Sequence, residues 1–465
     1  MERRPERLTE EPESECVVRK PSALAGLPSY RRGERVDAEG SSENSNEKLL
    51  MGRIVESANM NAAYRKVKAN KGAAGVDGMS VDELADFIKS NWSGIESRLL
   101  DGSYRPEPVL RVELPKPDGG TRLLGIPTVL DRLIQQAILQ VLQEDHDGSF
   151  SESSFGFRPG RSAHDGLDAL REQTMTMHGG WILETDIESF FDSVDRAVLR
   201  EILTKRVCDG VLVRLIGKWM NAGVMEDGRV YRPETGTPQG GVISPLLANI
   251  VLHEVVDVWF EEQVKPRLRG RAHLVRFADD LVMVFAREDD ARRVLEVLPK
   301  RLGKHGLRMH PEKTRLVRFE RPPYRSSPKR EERPETFDFL GFTHYWAKSR
   351  NGNWVIKRKT QRGRFTRTLQ RISWWCRDHR HEPVADQHKM LSAKLRGHDA
   401  YFGVTGNSYA LGALRYWVER IWRVWLNRRS SKAGITWAKM GRILDRYPLP
   451  RPRIHRRWKP RAANP

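Results

Sequence analysis

Cysteine and long apolar segments are scarce in this sequence. The three cysteines, Cys16, Cys208 and Cys376, have no C-x-x-C spacing, which predicts neither a zinc site nor a disulfide framework. No stretch approaches the roughly 18 apolar residues that a membrane span requires. The opening MERRPERLTE lacks the apolar core of a secretory signal. These absences predict a cytoplasmic protein that contacts no membrane.

Acidic residues are scarce in the last quarter of the chain. Residues 351–465 carry 27 Lys and Arg against 6 Asp and Glu, whereas the rest of the chain carries 54 against 55. Eight of the 13 tryptophans also lie in this basic quarter. Because a solubilising tail has no use for tryptophan, the combination favours a surface that binds a polyanion, most simply nucleic acid.

Length and composition predict several parts. With 465 residues, the chain can build two or three cores. Residues 1–48 are polar and charge-mixed, which indicates a flexible lead-in with no deducible role. We expect a folded part over 49–347, a helical part over 348–450 and a basic tail over 451–465, which has six cations and no acid.

Helical spacing of apolar residues predicts helices over 54–67, from Asp131, from Ala163, over 291–302 and over 411–425. The last of these would carry arginines on its outer face. We expect most of its tryptophans to lie in the core of a helical bundle.

The most informative acids are Asp279 and Asp280, which separate the apolar runs LVRF and LVMVF. That pattern predicts a β-hairpin with acids at its turn. A solvated loop tip is the alternative for this pair alone. About 90 residues upstream, the strand pattern of 181–186 ends in Asp186. If the three carboxylates converge, they form an all-oxygen site for Mg²⁺, and a pair of such ions suits nucleotidyl transfer.

These residues also carry a family resemblance. Phe277–Asp280 resembles the [YF]-x-D-D signature of reverse transcriptases, and 186–192 resembles their D-x-x-x-[FY]-F-D motif. From about Leu50 almost to its end, the chain is similar to the reverse transcriptase/maturase proteins of bacterial group II introns. The resemblance implies an α+β fold, with right-hand polymerase fingers and palm, an antiparallel palm sheet and then an α-helical thumb/maturase domain. It implies an RNA-directed DNA polymerase that uses two Mg²⁺ ions.

The resemblance assigns catalytic roles to five residues. Asp186, Asp279 and Asp280 would hold the metal ions, and the main-chain carbonyl of Ile187 would complete their shell. Lys313 resembles the lysine that protonates the departing pyrophosphate. From the residues alone, a solvated surface lysine is nearly as good an interpretation of Lys313.

Four cations are candidates for phosphate binding. Lys116 and Arg122 flank a Pro-Asp-Gly-Gly turn, from which they could clamp a triphosphate, although solvated hairpin cations are an equal alternative. Arg158 and Arg161 lie in the block SFGFRPGRS, which matches the family's pattern. The resemblance implies that these two arginines contact nucleotide or template phosphates.

Three further segments match the family. Phe191 resembles the ring that excludes a 2′-hydroxyl and so selects deoxynucleotides; a core phenylalanine is the alternative, and Phe190 suits that role better. Gln239, in the block TPQGGVISPLLAN, would hydrogen-bond the sugar or base. Residues 337–342 resemble a strand at the base of the primer grip.

The basic quarter resembles the maturase-specific thumb, which binds intron RNA and the primer–template duplex. The segments LRGHDAYFGV and PLPRPRI carry that likeness. The predicted nucleic-acid-binding residues are Arg396, His398, Arg415, Arg423, Arg428, Arg429, Arg451 and Arg453.

The implied partners are group II intron RNA, an RNA template with its DNA primer, deoxynucleoside triphosphates and target DNA, with nucleoid association when DNA is bound. Whether the chain forms a homodimer stays open. Two alternatives also stay open: an RNA-binding splicing factor with little polymerase activity, and a reverse transcriptase of another lineage that serves phage defence or diversity generation. The sequence has no paired C-x-x-C motifs, so we expect a short member without an H-N-H endonuclease, primed by nicks or nascent strands of the host.

Overall fold

The structure is a computed structural model that describes residues 50–115, 120–188, 190–226, 229–231, 240–323, 334–430 and 434–457. Across them the fold is α+β, as predicted from the sequence. None of the helices in these ranges is long and apolar enough to cross a membrane. Contacts divide the chain into two compact units, the first of residues up to 112, 124–145 and 195–244, and the second of the remainder.

In chain order, the first half contains α1 (Leu50–Val55), α2 (Ser57–Asn70), α3 (Leu84–Leu100), β1 (Val109–Pro115), β2 (Thr121–Ile126), α4 (Val129–Asp147), α5 (Ala163–Thr176), β3 (Trp181–Asp186), α6 (Phe190–Ser193), α7 (Arg196–Arg206), α8 (Gly210–Asn221), β4 (Val224–Glu226) and β5 (Arg229–Tyr231). Next come α9 (Ser244–Leu252), a π-helix (His253–Val264), a 3₁₀ turn (Lys265–Arg267), β6 (Ala272–Phe277), β7 (Asp280–Phe285), α10 (Glu288–Gly303), β8 (Arg315–Arg318), β9 (Phe337–Phe339), β10 (Phe342–Lys348), β11 (Trp354–Thr360), α11 (Arg362–Asp378), α12 (Val384–Phe402), α13 (Ser408–Asn427) and α14 (Trp437–Arg446).

The first unit is held by a buried carboxylate. Asp131, on α4, has no exposed surface. It accepts hydrogen bonds from the Tyr104 hydroxyl at 3.0 Å, the Trp219 indole N–H at 2.8 Å and the Thr128 hydroxyl at 2.9 Å. Because a buried acceptor is costly unless it is satisfied, these bonds fix α4 against α8 and the segment before β1.

The second unit contains an antiparallel sheet in the order β6-β7-β3-β8. After Asp280, every residue of β7 is buried, so both faces of this strand are covered. That explains why its sequence is continuously apolar rather than alternating. Strands β9, β10 and β11 form a second, three-stranded sheet in the same unit.

The four helices α11 to α14 follow these sheets. Their shared core includes Trp422, which is fully buried. Of the three tryptophans on the helix predicted over 411–425, Trp422 lies in this core and Trp425 packs against it, whereas Trp417 is 48% exposed. The expectation that most of them lie in the core is therefore met.

Several predicted elements need correction. The expected single strand over 337–342 is interrupted at Leu340 and Gly341, both with positive φ, and becomes a hairpin. The first predicted helix breaks at Glu56 into two helices. Strand β11 lies where a helical part was expected; its buried positions alternate and include the polar Arg358 and Thr360, which hid the strand pattern.

Candidate active site

The three acids meet at one end of the second unit's first sheet. Asp186 is the last residue of β3 and pairs directly with Asp280, the first residue of β7. The hairpin of β6 and β7 is present as predicted, with Ala278 and Asp279 as its two-residue turn. Opposed residues on adjacent strands lie about 4.5–5.5 Å apart, so residues distant in sequence share one small volume.

Crowding of negative charge perturbs the site. Burial raises the pKa of Asp280 to about 7, and the charges of Asp186 and Asp279 add to this rise. The Asp280 side chain nevertheless keeps contact with solvent, so an incoming cation can reach it. A carboxylate that is destabilised by its neighbours gains most when a cation neutralises the group.

Lys313 supplies one positive charge to this cluster. Its ammonium forms an ion pair with the carboxylate of Asp186, while the lysine side chain stays 58% exposed. Burial by itself would lower the pKa of Lys313, but the hydrogen bond to Asp186 and the charges of Asp280 and Asp279 outweigh it and raise the pKa. Lys313 therefore stays protonated beside Asp186.

The three carboxylates are ligands of the kind that a hard divalent cation prefers, but they do not surround a single metal position. Among the described residues, no three His, Cys, Asp or Glu side chains are gathered closely enough to enclose a metal ion. Asp186 pairs with Lys313, and the negative charges of Asp186 and Asp279 act on Asp280. Ile187 and Met309 form an isolated antiparallel β-bridge just beyond β3. Its two main-chain hydrogen bonds are accepted by the carbonyls of Asp186 and Arg308. Three carboxylates with this mutual repulsion fit a hard divalent cation.

The two arginines of the SFGFRPGRS block make internal contacts. The Arg158 side chain is only 3% exposed and pairs with Asp147 at 2.8 Å. It also donates to the carbonyls of Ser151 and Ser154. Arg161 pairs with Glu152 at 2.6 Å. This placement argues against the predicted phosphate contact of Arg158, because its guanidinium already satisfies the turn that carries it.

The other predicted nucleotide contacts lie mostly outside the described part of the chain. Lys116 and Gln239 fall outside it, as do the side chains of Arg122 and Phe191. Phe190 is 3% exposed and packs in the core, the role that the sequence favoured for it over Phe191.

The predicted nucleic-acid contacts divide into two groups. Arg396, Arg428, Arg451 and Arg453 are exposed. The others are engaged within the chain: Arg415 pairs with Glu419, Arg423 and Arg429 donate to main-chain carbonyls, and His398 stacks on Phe402. The His398 side chain is only 6% exposed, which argues against its predicted contact with RNA.

One functional candidate was not predicted. Arg276, on β6, has no exposed surface, and its guanidinium donates to the carbonyl of Ala278 in the turn beside the acids. An arginine three residues before two aspartates resembles an ordinary exposed strand residue. Only the structure shows that this side of the strand is enclosed.

The sequence was compared with known protein families and curated proteins. Residues 114–344 match the family model described as reverse transcriptase (RNA-dependent DNA polymerase). The group II intron-encoded protein LtrA of Lactococcus lactis subsp. cremoris is 33% identical over 252 residues, which are 51% of this chain and 41% of LtrA. Protein YkfC of Escherichia coli is 32% identical over 55% of this chain and 75% of its own length.

The structural match to a solved telomerase from Candida albicans covers 74% of this chain and 61% of the telomerase chain, at 14% identity and a TM-score of 0.40. That likeness is too low to carry an argument. This chain spans about two fifths of LtrA but three quarters of YkfC. The matches to the reverse transcriptase model and to these curated relatives show that the chain belongs to the family of group II intron reverse transcriptase/maturases.

Proposed function

We propose that this protein is an RNA-directed DNA polymerase that also binds its group II intron RNA as a maturase. The observation that carries the polymerase half is the pairing of Asp186 with Asp280 across β3 and β7, with Asp279 in the adjoining turn. Strand register fixes this arrangement more firmly than loops could.

In the proposed reaction, the primer 3′-hydroxyl attacks the α-phosphorus of a deoxynucleoside triphosphate. The new P–O bond forms as the bond to pyrophosphate breaks, and the proton of the attacking hydroxyl is released to solvent. Asp186, Asp279, Asp280 and the carbonyl of Ile187 would hold two Mg²⁺ ions, which supply charge stabilisation when bound. Lys313 would give its proton to the departing pyrophosphate, as its place beside Asp186 allows.

Substrate recognition is proposed for residues whose side chains the structure does not describe. Lys116 and Arg122 would bind the triphosphate, Gln239 the sugar or base, and Phe191 would exclude ribonucleotides. Arg158 is left out of this set because its side chain is buried and paired.

Primer extension on an RNA template tests the polymerase half. With Mg²⁺, we expect extension with deoxynucleotides and none with ribonucleotides. Asp279→Asn should abolish extension, and deletion of residues 1–45 should leave it intact. Extension that survives Asp279→Asn would refute the proposed site, and its absence from the native protein would favour a splicing factor without polymerase activity.

The maturase half rests on the basic quarter and its exposed arginines, such as Arg396 and Arg428. Their charge would lower the cost of compacting a polyanionic RNA that performs splicing itself. Splicing of RNA transcribed from sequences on either side of the coding region should become faster when the protein is added. If no such RNA responds, the maturase role fails while the polymerase role stands.

A further inference from the structure

A buried ion pair lies behind the acidic turn. Arg276 of β6 and Asp257 of the π-helix both have side chains without exposed surface. Arg276 Nε donates to Asp257 Oδ1 at 2.8 Å, and Nη2 donates to Oδ2 at 2.6 Å. A paired fork of this kind fixes the plane of the guanidinium. Burying two charges is expensive and is often no more stabilising than apolar packing, so the pair calls for a reason other than stability.

The remaining donor atom of this guanidinium reaches the turn. Arg276 Nη1 donates to the carbonyl of Ala278 at 3.2 Å and to Oδ1 of Asn249 at 3.0 Å. That carbonyl belongs to the peptide unit that joins Ala278 to Asp279. Because a peptide unit is planar, a hydrogen bond that fixes its oxygen also fixes the position of the Asp279 nitrogen.

The turn needs an external restraint because its backbone is strained. Ala278 has a φ of 57°, a left-handed conformation that is unfavourable for residues other than glycine. On its other side, a Cβ on Gly156 would lie 2.4 Å from the Ala278 nitrogen. Asn249 joins the two sides, since its Nδ2 donates to the Gly156 carbonyl at 2.8 Å.

We infer that Arg276, oriented by Asp257 and Asn249, is a positioning residue that sets the Ala278–Asp279 peptide and thereby the metal-binding geometry of Asp279 and Asp280. This inference rests on the proposed function for the identity of the metal site. Arg276 touches no substrate; it acts only through the backbone of the turn. Removing it should therefore weaken metal binding and turnover without changing the affinity for RNA.

The test is Mn²⁺ binding to the full chain, followed by electron paramagnetic resonance, with primer extension measured in parallel. Arg276→Lys keeps a charge beside Asp257 but loses the fork, and Asn249→Ala leaves the ion pair whole. Residues that orient metal ligands typically contribute 10- to 100-fold to affinity, so we expect about tenfold weaker Mn²⁺ binding at the site that Asp279→Asn removes. Half-saturating Mg²⁺ in primer extension should rise in parallel, with the KM for deoxynucleotides at saturating Mg²⁺ unchanged.

Arg358→Lys is the matched control. Arg358 is 5% exposed and pairs with Asp168 at 2.7 Å, so this variant also weakens the ion pair of a buried guanidinium. The Asp168 side chain is 46% exposed, and the pair does not contact the turn. We expect its Mn²⁺ affinity to stay within about twofold of the native value. If Arg276→Lys fails to fold, the double variant Arg276→Met with Asp257→Leu removes both buried charges and should show the same metal defect in a folded protein.

Mn²⁺ binding within about twofold of native in the folded Arg276 and Asn249 variants would overturn the inference, as would an equal loss in Arg358→Lys. The outcome is independent of the polymerase proposal, because Mn²⁺ binding is measured without substrate. A native protein that binds Mn²⁺ through Asp279 yet extends no primer would refute the proposed reaction and leave the positioning role standing.

Discussion

Lys313 has two proposed effects, which substitutions can separate: its charge pairs with Asp186, and its proton is given to the departing pyrophosphate. The ammonium pairs with Asp186 and therefore competes with a metal ion for that carboxylate. The lysine is 58% exposed, and an ion pair of this exposure is worth about 0.2–1 kcal/mol. In Lys313→Ala, half-saturating Mg²⁺ should therefore fall by up to about fivefold. At saturating Mg²⁺, kcat should fall by about 100-fold or more, since a general acid contributes at least that much.

Lys313→Arg is the control for charge. It keeps the positive charge near Asp186, but arginine does not release a proton at neutral pH. We expect native Mg²⁺ dependence with the low kcat of the alanine variant. Primer extension at several Mg²⁺ concentrations measures both quantities. A higher Mg²⁺ requirement in Lys313→Ala, or native kcat in Lys313→Arg, would refute the reasoning.

Three further outcomes are expected. Because the pKa of Asp280 is raised to about 7, a metal ion must displace a proton from this carboxyl at lower pH. The Mg²⁺ concentration for half-maximal primer extension should therefore rise roughly tenfold per pH unit below that value and level off above it. A Mg²⁺ requirement that does not change with pH would contradict this. Asp131→Ala leaves three buried donors unsatisfied and should cost about 3–5 kcal/mol in urea unfolding, whereas a loss under about 1 kcal/mol would show that the network is dispensable. Arg158→Ala should cost about 3 kcal/mol in the free energy of unfolding, because the main-chain carbonyls of Asp147, Ser151 and Ser154 lose a charged donor. The KM for deoxynucleotides of the folded variant should stay within about twofold; a large rise in KM would restore Arg158 to the nucleotide site.

The sequence predicted the elements that carry strong local patterns. The sequence predicted strand β3 over 181–186 from an apolar run that ends in Asp186, and the observed strand has the same bounds. The helix from Ala163 begins as expected, because Ser162 and Asp165 form a reciprocal cap. The hairpin of β6 and β7 followed from two apolar runs around two acids. In each case, the deciding interaction lies within a few residues along the chain.

The sequence could not predict features that depend on distant partners. The burial of Arg276 requires Asp257 and Asn249 on other elements, and the burial of Arg158 requires Asp147. The turn at Leu340 was missed because one apolar run continues through two left-handed residues. Strand β11 was missed because buried polar residues such as Arg358 break the apolar alternation. Tertiary pairing determined these placements, and local propensity did not.

The most direct test of the central claim is anomalous scattering from Mn²⁺ in crystals of the protein with a primer, an RNA template and an unreactive deoxynucleotide analogue. The account predicts a peak within about 2.5 Å of carboxylate oxygens from Asp186 and from Asp279 or Asp280. A peak held by other residues, or one that persists unchanged in Asp186→Asn, would contradict it.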